Sequence, residues 1–598
     1  MSVTPSRRAV LRGAVAAAAA VPLAGGLSAR SAFAASPAAG AGGLGPNVLV
    51  FDPSMGDAAV QAQCDAVFAV QQSNQFGTER YALAFQPGTY NVDVNVGFYT
   101  HVLGLGASPD DVVINGHVTV DAQWFGGNGT QDFWRAAENV CIVPPDGLER
   151  WAVAQAGPMR RAHVKGDMSL WPSPPGNQWS SGGFMADTVV DGQVQSGSQQ
   201  QWISRNDTFG SWDGSNWNMV FVGVQGAPPQ SFPSPPMTTI GQTPVVREKP
   251  FLTMAADGSY SVFVPALRAA STGTTWAGGP ADGQSISLSK FYIAQPGDSA
   301  GTINTALGSG QHLLLTPGVY PLSSPINVTR PGTVVLGLGL ATLQSVNGNS
   351  LILVDDVDDV SVAGVLLEAA SASSPVLLRA GNGPTQKNHA SHPTALFDIY
   401  ARIGGAVPGG AAVSVQIDSN DVICDNFWLW RADHGLDGTV GWTVNPAGNG
   451  LIVNGDRVTA YGLAVEHYQN YEVVWNGQQG STYFFQNEHP YDVPDQAAWK
   501  HGTTNGYAAY KVADSVTGHQ AWGLGSYCVF TQNADVLTDR AYEVPDTPGV
   551  VFTDMLIVCL NGAGGGGIVH CINDFGGPVE NGYGVYDMVS YSNGTGTA

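Results

Sequence analysis

Lysine and arginine are scarce in this sequence. The 598 residues include 24 Lys and Arg against 47 Asp and Glu, which gives a net charge of −23. A chain with this charge repels polyanions and offers nucleic acid no basic surface. Charged residues of both signs amount to 12%, about half of the roughly 25% found in typical soluble domains. The composition therefore excludes a nucleic-acid partner and favours a neutral substrate over a polyanionic one.

Cysteine is also rare, and its spacing carries no metal signature. The cysteines form no C-x-x-C pair and have no histidine at ligand spacing; they are Cys64, Cys141, Cys424, Cys528, Cys559 and Cys571. Structural zinc sites need such clusters. We therefore expect neither a metal nor another cofactor, and buried free thiols fit the pattern as well as disulfide bonds do.

Long apolar runs are missing, even near the first residue. Residues 1–34 begin with a basic segment containing Arg7 and Arg8, continue with a short Ala-rich stretch and end in an A-x-A motif at Ala32–Ala34. The stretch is too short and too rich in Ala and Gly to span a bilayer. We predict a cleaved export signal of the twin-arginine type, followed by a linker at 35–47. The protein is accordingly expected to be secreted, without a membrane segment.

A long internal repeat organises the rest of the chain. Residues 82–116 and 312–348 both read as an apolar strand, a PG-x-Y turn, a short strand, the sequence VLGLG, a further strand and an NG pair. Each copy follows a predicted short helix, within residues 51–72 in one case and 294–310 in the other. The chain therefore contains two large modules of similar design.

Short Val/Ile/Leu-rich strands dominate both modules and alternate with Gly, Asn and Asp, whereas long amphipathic helices are almost absent after residue 72. This pattern is typical of coils that stack on one another around a continuous core. The sequence predicts an all-β protein: two tandem right-handed parallel β-helices of the pectin-lyase type, packed side by side. We place the first module at 48–285 and the second, with the main catalytic residues, at 286–598. A β-sandwich or a propeller is the alternative, but modules of this length lack the propeller's blade repeat.

Glu466 and Glu488 are the candidate reactive groups. Each follows a short apolar run and is surrounded by Tyr, Trp, Asn and Gln, in the segments GLAVEHYQNY and YFFQNEHPYDVP. Their separation of about one coil predicts adjacent coils, roughly one strand spacing of 4.8 Å apart. A pair of carboxyl groups is what acid-catalysed cleavage of a sugar acetal requires.

The two carboxyl groups are expected to differ in protonation. Glu488 lies among aromatic and proline residues, so burial and the nearby Glu466 should raise its pKa while Glu466 remains ionised. Inverting glycosidases hold their carboxyl groups roughly 6.5–9.5 Å apart and retaining ones about 5–5.5 Å. The sequence leaves both separations open.

Aromatic and amide side chains are candidates for sugar binding, because flat rings pack on the apolar face of a sugar while amides reach its hydroxyls. The predicted substrate-binding residues are Gln178, Trp179, Trp202, Ser204, Asn206, Trp442, Trp475, Gln479 and Tyr491. Since the best acid/base pair occurs in one module only, we expect a cleft between the modules, with Trp179 and Trp202 facing the carboxyl groups.

These features resemble those of the family 55 glycoside hydrolases. The resemblance rests on the duplicated PG-x-Y and VLGLG segments, on SSGGFMADTVVDG (180–192), QQWISRNDTFGSW (200–212) and FFQNEHPYDVP, and it covers the chain after the export signal. Members are exo-acting β-1,3-glucanases with two tandem β-helices that invert the anomeric centre. The resemblance implies Glu488 as general acid, Glu466 as the holder of the attacking water and a neutral β-glucan as substrate. We further expect a monomer.

Three other functions stay open on the sequence alone. A pectate-type lyase would need Ca²⁺-binding carboxylates and basic residues for a uronate, which the net charge disfavours. A hydrolase of another β-helical family, acting on a different neutral glucan or fructan, fits equally well. A non-catalytic carbohydrate-binding surface protein would use the aromatic residues but would need no pair of carboxyl groups.

Overall fold

The structure is a computed structural model that describes residues 43–172, 178–532, 535–560 and 565–598. The predicted export signal and most of the following linker lie outside the described residues. Within them, α-helices occur at Asp57–Gln71 and Ala300–Gly308, and no helix is long and apolar enough to cross a membrane. Both helices lie inside the segments predicted to open the two modules.

Parallel sheets build the first module, with strands of successive coils in register, as in Tyr81–Phe85 against Thr100–Gly104. Its inner sheet, which faces the second module, consists of Val48–Phe51, Tyr81–Phe85, Thr100–Gly104, Arg135–Glu138, Met159–Arg160, Phe184–Ala186, Gln201–Arg205, Asn218–Val222 and Met237–Ile240. Its outer sheet consists of Gly88–Tyr90, Val112–Asn115, Cys141–Val143, Leu148–Arg150, His163–Val164, Asp167–Ser169, Val189–Gln195 and Thr208–Asp213. The predicted β-helix is confirmed for this module.

The second module repeats the design with longer strands. Its inner sheet consists of Phe291–Ala294, His312–Leu315, Val319–Leu322, Val334–Ser345, Ser361–Glu368, Ala395–Ile403, Ile423–Arg431, Thr459–Glu466, Gly480–Glu488, His519–Cys528, Val550–Cys559, Gly584–Ser592 and Thr595–Thr597. The last two run antiparallel to their neighbours. Its outer sheet consists of Ile326–Val328, Ile352–Val354, Leu378–Ala380, Ala411–Ile417, Ala447–Val453, Val473–Trp475, Tyr510–Val512, Leu537–Glu543, Gly567–Ile572 and Val579–Glu580.

Short strands and 3₁₀ turns connect the two β-helices and flank their coils. The chain between them forms antiparallel pairs from Thr243–Val246, Phe251–Met254, Tyr260–Pro265, Arg268–Ser271 and Gly283–Ser287. The predicted boundary at 285/286 falls within the last of these strands. Further short pairs and 3₁₀ turns lie at Pro53–Met55, Val94–Asn95, Pro109–Asp111, Val118–Thr119, Gln123–Phe125, Leu288–Lys290, Gln496–Ala498, Lys500–His501 and Thr504–Asn505.

A ladder of kinks runs through the inner sheet of the second module. One residue in each of several successive strands has a positive φ, and the pairing on either side places these residues next to each other; they are Asp398, Asn426, Gly462, Phe484 and Gly523. Gly, Asn and Asp tolerate this left-handed conformation better than most residues, which accounts for four of the five positions.

The two inner sheets pack face to face. Phe184 and Ile203 of the first module and Leu336 and Phe397 of the second belong to one buried apolar layer between the β-helices. Because each strand residue in this layer faces the other module rather than its own core, both faces of the inner strands are buried. This contact fixes how the side chains of one module meet those of the other.

Buried ion pairs cross the same interface. Arg160 contacts both Asp398, at 2.7 Å, and Asp425, at 2.8 Å. Arg205 contacts Asp425 at 3.0 Å and Glu248 at 2.7 Å. None of these side chains is more than 6% exposed. A buried pair of this kind holds a register because losing one partner leaves an uncompensated charge in a low-dielectric interior.

Replacing Asp425 by Asn is expected to destabilise the protein strongly. The change leaves two buried guanidinium groups without their shared carboxylate and should reduce the free energy of unfolding by about 3–5 kcal/mol. Equilibrium unfolding in guanidinium chloride measures the change in the free energy of unfolding. The matched control is Asp514→Asn, since Asp514 pairs with Lys511 while 89% exposed, and its change should stay within about 0.5 kcal/mol. Equal effects of the two substitutions would contradict this account of the interface.

Candidate active site

Glu466 and Glu488 end adjacent strands of the second module. Thr459–Glu466 pairs with Gly480–Glu488 in parallel, with Ala464 opposite Gln486, and this register continues to the two glutamates. The backbone N–H of His467 donates to the carbonyl of Glu488 at 2.7 Å. The prediction that these glutamates lie on adjacent coils is therefore confirmed.

Glu466 is held from both modules. Gln155 of the first module donates from Nε2 to Oε1 of Glu466 at 2.9 Å, and the indole N–H of Trp428 donates to Oε2 at 2.8 Å. The carboxyl is almost fully buried. Burial, together with the neighbouring Glu488, raises the pKa of Glu466 well above its ordinary value. The direction of this shift runs against the expectation that Glu466 remains ionised, because its site between the sheets removes solvent from the carboxyl.

Glu488 is the more accessible of the pair, with 21% of its side chain exposed. The Tyr491 hydroxyl donates to its Oε2, and Nε2 of His467 lies 3.7 Å from the same oxygen. Burial raises the pKa of Glu488, and the His467 imidazole opposes part of that rise. Glu488 thus combines access to the cleft with a tendency to keep its proton, and the predicted site residue Tyr491 lies directly against it.

Asp433 is a third carboxyl group of the site, and the sequence analysis assigned it no role. Its Oδ1 lies 2.9 Å from Nδ1 of His434 and 3.8 Å from Nε2 of His467. Burial alone would raise the pKa of Asp433, but the charge and hydrogen bond of His434, with His467, hold that pKa well below its usual range. The site therefore contains a stable carboxylate beside two carboxyl groups that favour their protons.

Aromatic rings from both modules pack together beside Glu466. Phe133 and Trp134 of the first module have ring centroids 4.5 and 5.2 Å from that of Trp428, and Trp428 stacks on Trp430 at 5.0 Å. We call these four residues the aromatic wall. Trp430 is paired with Glu466 in the sheet, so the second-module half of the wall lies on the coil that precedes the glutamates. The His434 ring packs 5.1 Å from Trp430.

A cavity between the modules is lined by Gln155 and Gly183 of the first module and by Gln486 of the second, so the first module contributes other residues to it than predicted. Trp202 is fully buried in the interior of the first β-helix, where it donates to Ser204. Asn206 is also buried and donates to Ser271 and Gly273. The predictions that these three residues bind substrate are wrong, because Trp202 and Ser204 point into the interior of the coil and Asn206 is engaged by the segment that connects the modules.

Two predicted residues of the second module are likewise misplaced. Trp475 lies in the interior of its β-helix, fully buried. Gln479 is exposed just before the strand Gly480–Glu488, at the far end of that strand from Glu488. Neither residue can contact a sugar bound at the glutamates, so both predictions are wrong.

Three other predicted binding residues remain untested as sugar ligands. Trp442 is half-buried and packs under Arg431, whose guanidinium carbon lies 5.6 Å from its ring centroid. Trp179 accepts a backbone hydrogen bond from Gly129, and the carbonyl of Gln178 accepts one from Ser198. Their roles stay predictions.

Gln155 is the first-module residue that the sequence analysis missed. It lies in the apolar segment WAVAQAG, where a lone amide needs a buried hydrogen-bonding partner. That partner is Glu466, 311 positions away. The lone amide was a usable signal, but the sequence does not indicate which distant group it meets.

Groups able to present three metal ligands lie elsewhere among the described residues, at Asp110, Cys141 and His163 and at Asp539, His570 and Asp574. In the first group His163 is already bonded to Asp110 and Asp191. In the second, Asp539 and Asp574 contact Arg540. The chemistry of the candidate active site rests on carboxyl groups and not on either group.

A known enzyme matches nearly the whole chain. The exo-β-1,3-glucanase of Streptomyces sp. (strain SirexAA-E / ActE) is 52% identical over 548 residues, covering 92% of this chain and 89% of the relative. The chain belongs to the family of this glucanase. The family model for the LAM55 pectate lyase-like domain matches residues 291–488, which ends at the candidate acid.

Solved structures of the family agree with the fold. That of sacteLam55A from Streptomyces sp. SirexAA-E superposes with a TM-score of 0.89 at 52% identity, covering 92% of this chain and 98% of that one. A variant of the same enzyme in complex with glucose gives the same TM-score at 51% identity, with the same coverage. The tandem arrangement of this chain is thus that of its family.

The raised pKa of Glu488 predicts the pH range in which activity declines as the pH rises, the alkaline limb of the pH–activity profile. A carboxyl whose pKa is raised stays protonated above the ordinary glutamate value of about 4.3, so a reaction that takes its proton declines only as pH rises through the raised pKa. The His467→Asn variant should move the limb to higher pH, since the opposing imidazole is gone. Asn suits the positive φ of 67° at this position. A wild-type limb at or below about pH 4.3 would contradict the assignment.

Proposed function

We propose that this chain is a secreted exo-β-1,3-glucanase that removes glucose from the end of a neutral β-glucan with inversion. The observation that carries the proposal is the pair Glu466 and Glu488 on adjacent strands, with Gln155 reaching Glu466 from the other module. The 52% identical relative is an exo-β-1,3-glucanase, and its family includes a structure in complex with glucose. Export and a monomeric state complete the proposal.

Glu488 acts as the general acid. Its raised pKa keeps the carboxyl protonated, so that it has a proton to give. Its partial exposure lets it reach a glycosidic oxygen, and the Tyr491 hydroxyl orients the carboxyl by donating to Oε2. An unprotonated sugar alkoxide is a poor leaving group, so proton transfer in the transition state lowers the barrier.

Glu466 and Gln155 hold the attacking water. Their hydrogen bond brings a carboxyl and an amide from different modules together, and both groups can bind water while Trp428 fixes the carboxyl from the other side. As the bond to the leaving group breaks, positive charge grows on the sugar ring. The ionised form of Glu466 accepts the proton of the water as the new C–O bond forms, while Glu488 gives its proton to the departing glycosidic oxygen. Transfer of a proton from Glu466 back to Glu488 after product release restores the starting state. The water attacks from the side opposite Glu488, so the anomeric centre inverts.

The aromatic wall supports cleavage at chain ends. Its rings fill the space next to the coil before Glu466, so we expect a glucan chain to enter from the Glu488 side. The low content of basic residues suits a neutral glucan, since no groups are needed to balance a charged polymer.

Replacing Glu488 by Gln is expected to abolish hydrolysis of laminarin while leaving folding and substrate binding largely intact. Gln keeps the size and hydrogen bonding of the side chain but carries no transferable proton. General acids contribute about 10²- to 10⁴-fold, and a sugar leaving group should show a loss near the upper value. Initial rates of reducing-sugar release measure the effect, with other neutral glucans as the comparison panel.

An aryl β-glucoside distinguishes the acid from a residue that matters only for structure. Its leaving group needs little protonation, so the Glu488→Gln variant should retain far more of its rate on the aryl substrate than on laminarin. The Glu466→Gln variant is the matched control and should lose similar factors on both substrates, because its defect concerns the water. A Glu488→Gln enzyme with more than about a tenth of the wild-type rate on laminarin lies outside the expected loss and would refute the assignment.

A further inference from the structure

Cys141 differs from the other cysteines in the direction of its side chain. The others belong to the apolar cores of the two β-helices; they are Cys64, Cys424, Cys528, Cys559 and Cys571. On the strand Cys141–Val143 the next residue, Ile142, points into the core of the first module, so Cys141 points out of the β-helix. Its side chain is nevertheless fully buried. The thiol is therefore covered by neighbours that lie outside the apolar core.

The neighbours of this thiol carry metal-binding groups. His163 is the partner of Cys141 on the next strand of the outer sheet, so the two side chains lie side by side, about one strand spacing of 4.8 Å apart in backbone. Asp110 reaches the same place from the turn Pro109–Asp111, and its Oδ1 lies 2.7 Å from Nδ1 of His163. One ligand atom from each of these three residues lies within 4.8 Å of the other two. A thiol, an imidazole and a carboxylate thus converge on one point.

His163 has the orientation of a metal ligand. Its Nε2 lies 3.1 Å from Oδ1 of Asp191, while Nδ1 faces Asp110. Histidines that bind a metal through one ring nitrogen almost always donate the other N–H to a carboxylate, a carbonyl or water. With Nε2 donating to Asp191, the Nδ1 lone pair and the Asp110 carboxylate are two acceptors that face each other. They need a cation between them, which is either a proton or a metal ion that replaces it.

The donor set identifies the kind of metal ion. A thiolate, an imidazole and a carboxylate are ligands of Zn²⁺, whereas Ca²⁺ and Mg²⁺ prefer oxygen. Zinc–ligand distances of about 2.0–2.3 Å place tetrahedral ligands roughly 3.3–3.8 Å apart, so the three groups need only a small closure from their present spacing. The carboxylates of Asp110 and Asp191 are exposed. Solvent therefore reaches the site, which admits the ion and leaves a fourth position for water.

We propose that Cys141, His163 and Asp110 form a Zn²⁺ site on the outer sheet of the first module, with Asp191 holding the His163 ring and water as the fourth ligand. The net charge of −23 attracts cations to the protein. Burial raises the pKa of the Cys141 thiol to about 12, so the thiol keeps its proton until the ion binds. Binding releases that proton and the proton between His163 and Asp110 to solvent.

The proposed site joins successive coils to the segment that connects the modules. Its three ligands and Asp191 lie on or just before neighbouring strands of the outer sheet. Trp276 of the connecting segment packs on His163, with ring centroids 5.5 Å apart, and its indole N–H donates to the carbonyl of Asp187 at 2.7 Å. A bound ion therefore stabilises the place where the connecting segment meets the first module. Its role is structural and separate from the glutamates.

Equilibrium dialysis of the chelator-treated full chain against Zn²⁺ tests the proposal, with Co²⁺ as a spectroscopic substitute. We expect one bound ion per chain and, for Co²⁺, a thiolate-to-metal charge-transfer band. Cys141→Ser should abolish this band. Asp191→Asn should keep the band but weaken Zn²⁺ binding about 10- to 100-fold, because the second carboxylate no longer fixes the ring. Ca²⁺ should not compete.

Two further variants sharpen the test. Nζ of Lys165 lies 3.6 Å from Oδ1 of Asp110 and competes with the metal for that carboxylate, so Lys165→Gln should tighten Zn²⁺ binding about 3- to 10-fold. The matched control is His117→Asn, which should bind Zn²⁺ as the wild type does. His117 also bridges two carboxylates, Asp93 at 2.7 Å and Asp146 at 3.2 Å, but no described cysteine joins that group.

Several results would overturn the assignment. Binding of Zn²⁺ by the wild type that is weak and not stoichiometric is one, and a charge-transfer band that survives in Cys141→Ser is another. Weaker binding by Lys165→Gln would also refute it, whereas tighter binding cannot arise from misfolding. A folding defect in Cys141→Ser leaves the test intact, because the wild-type Co²⁺ spectrum and Lys165→Gln do not depend on that variant. None of these readouts involves hydrolysis, so the outcome is independent of the proposed function.

Discussion

The face-to-face packing of the two inner sheets is the constraint on which the active site depends. Neither β-helix holds the site alone, because Glu466 takes one hydrogen bond from Trp428 of its own module and another from Gln155 of the other. The ion pairs around Asp425 and the apolar layer between the sheets set the distance across which Gln155 must reach. The two modules thus contribute differently to one site: the second carries both glutamates, and the first supplies Gln155, which hydrogen-bonds to Glu466.

Burial between the sheets, together with neighbouring charges, also shifts the pKa values of the carboxyl groups in the site. The same environment raises the pKa values of Glu466 and Glu488, while two histidines keep Asp433 ionised. Exposure distinguishes the two glutamates: in the proposed mechanism the partly exposed Glu488 gives its proton to the sugar and the buried Glu466 binds the water. Environment, rather than residue type, distributes these roles.

Local sequence patterns predicted most of the fold. Most of the errors concerned which face of a strand a side chain points to. The duplicated segments and coil-length spacing correctly predicted tandem β-helices, the opening helices and the adjacency of Glu466 and Glu488. Trp202 and Trp475 were misjudged because neighbouring residues of a strand point to opposite faces, and a one-residue difference decides between core and cleft. Gln155 and the aromatic residues Phe133 and Trp134 were missed because their partners belong to the other module, hundreds of positions away in the chain.

The stereochemistry of the first product tests the central claim most directly. Proton NMR of laminaritriose hydrolysis, recorded before mutarotation, reports the anomer of the glucose released. If Glu466 and Gln155 hold a water opposite Glu488, that glucose is the α anomer, because attack on the β-glycosidic carbon comes from the opposite face. Release of the β anomer would require a covalent glycosyl intermediate on one of the carboxyl groups and would contradict the roles assigned to them.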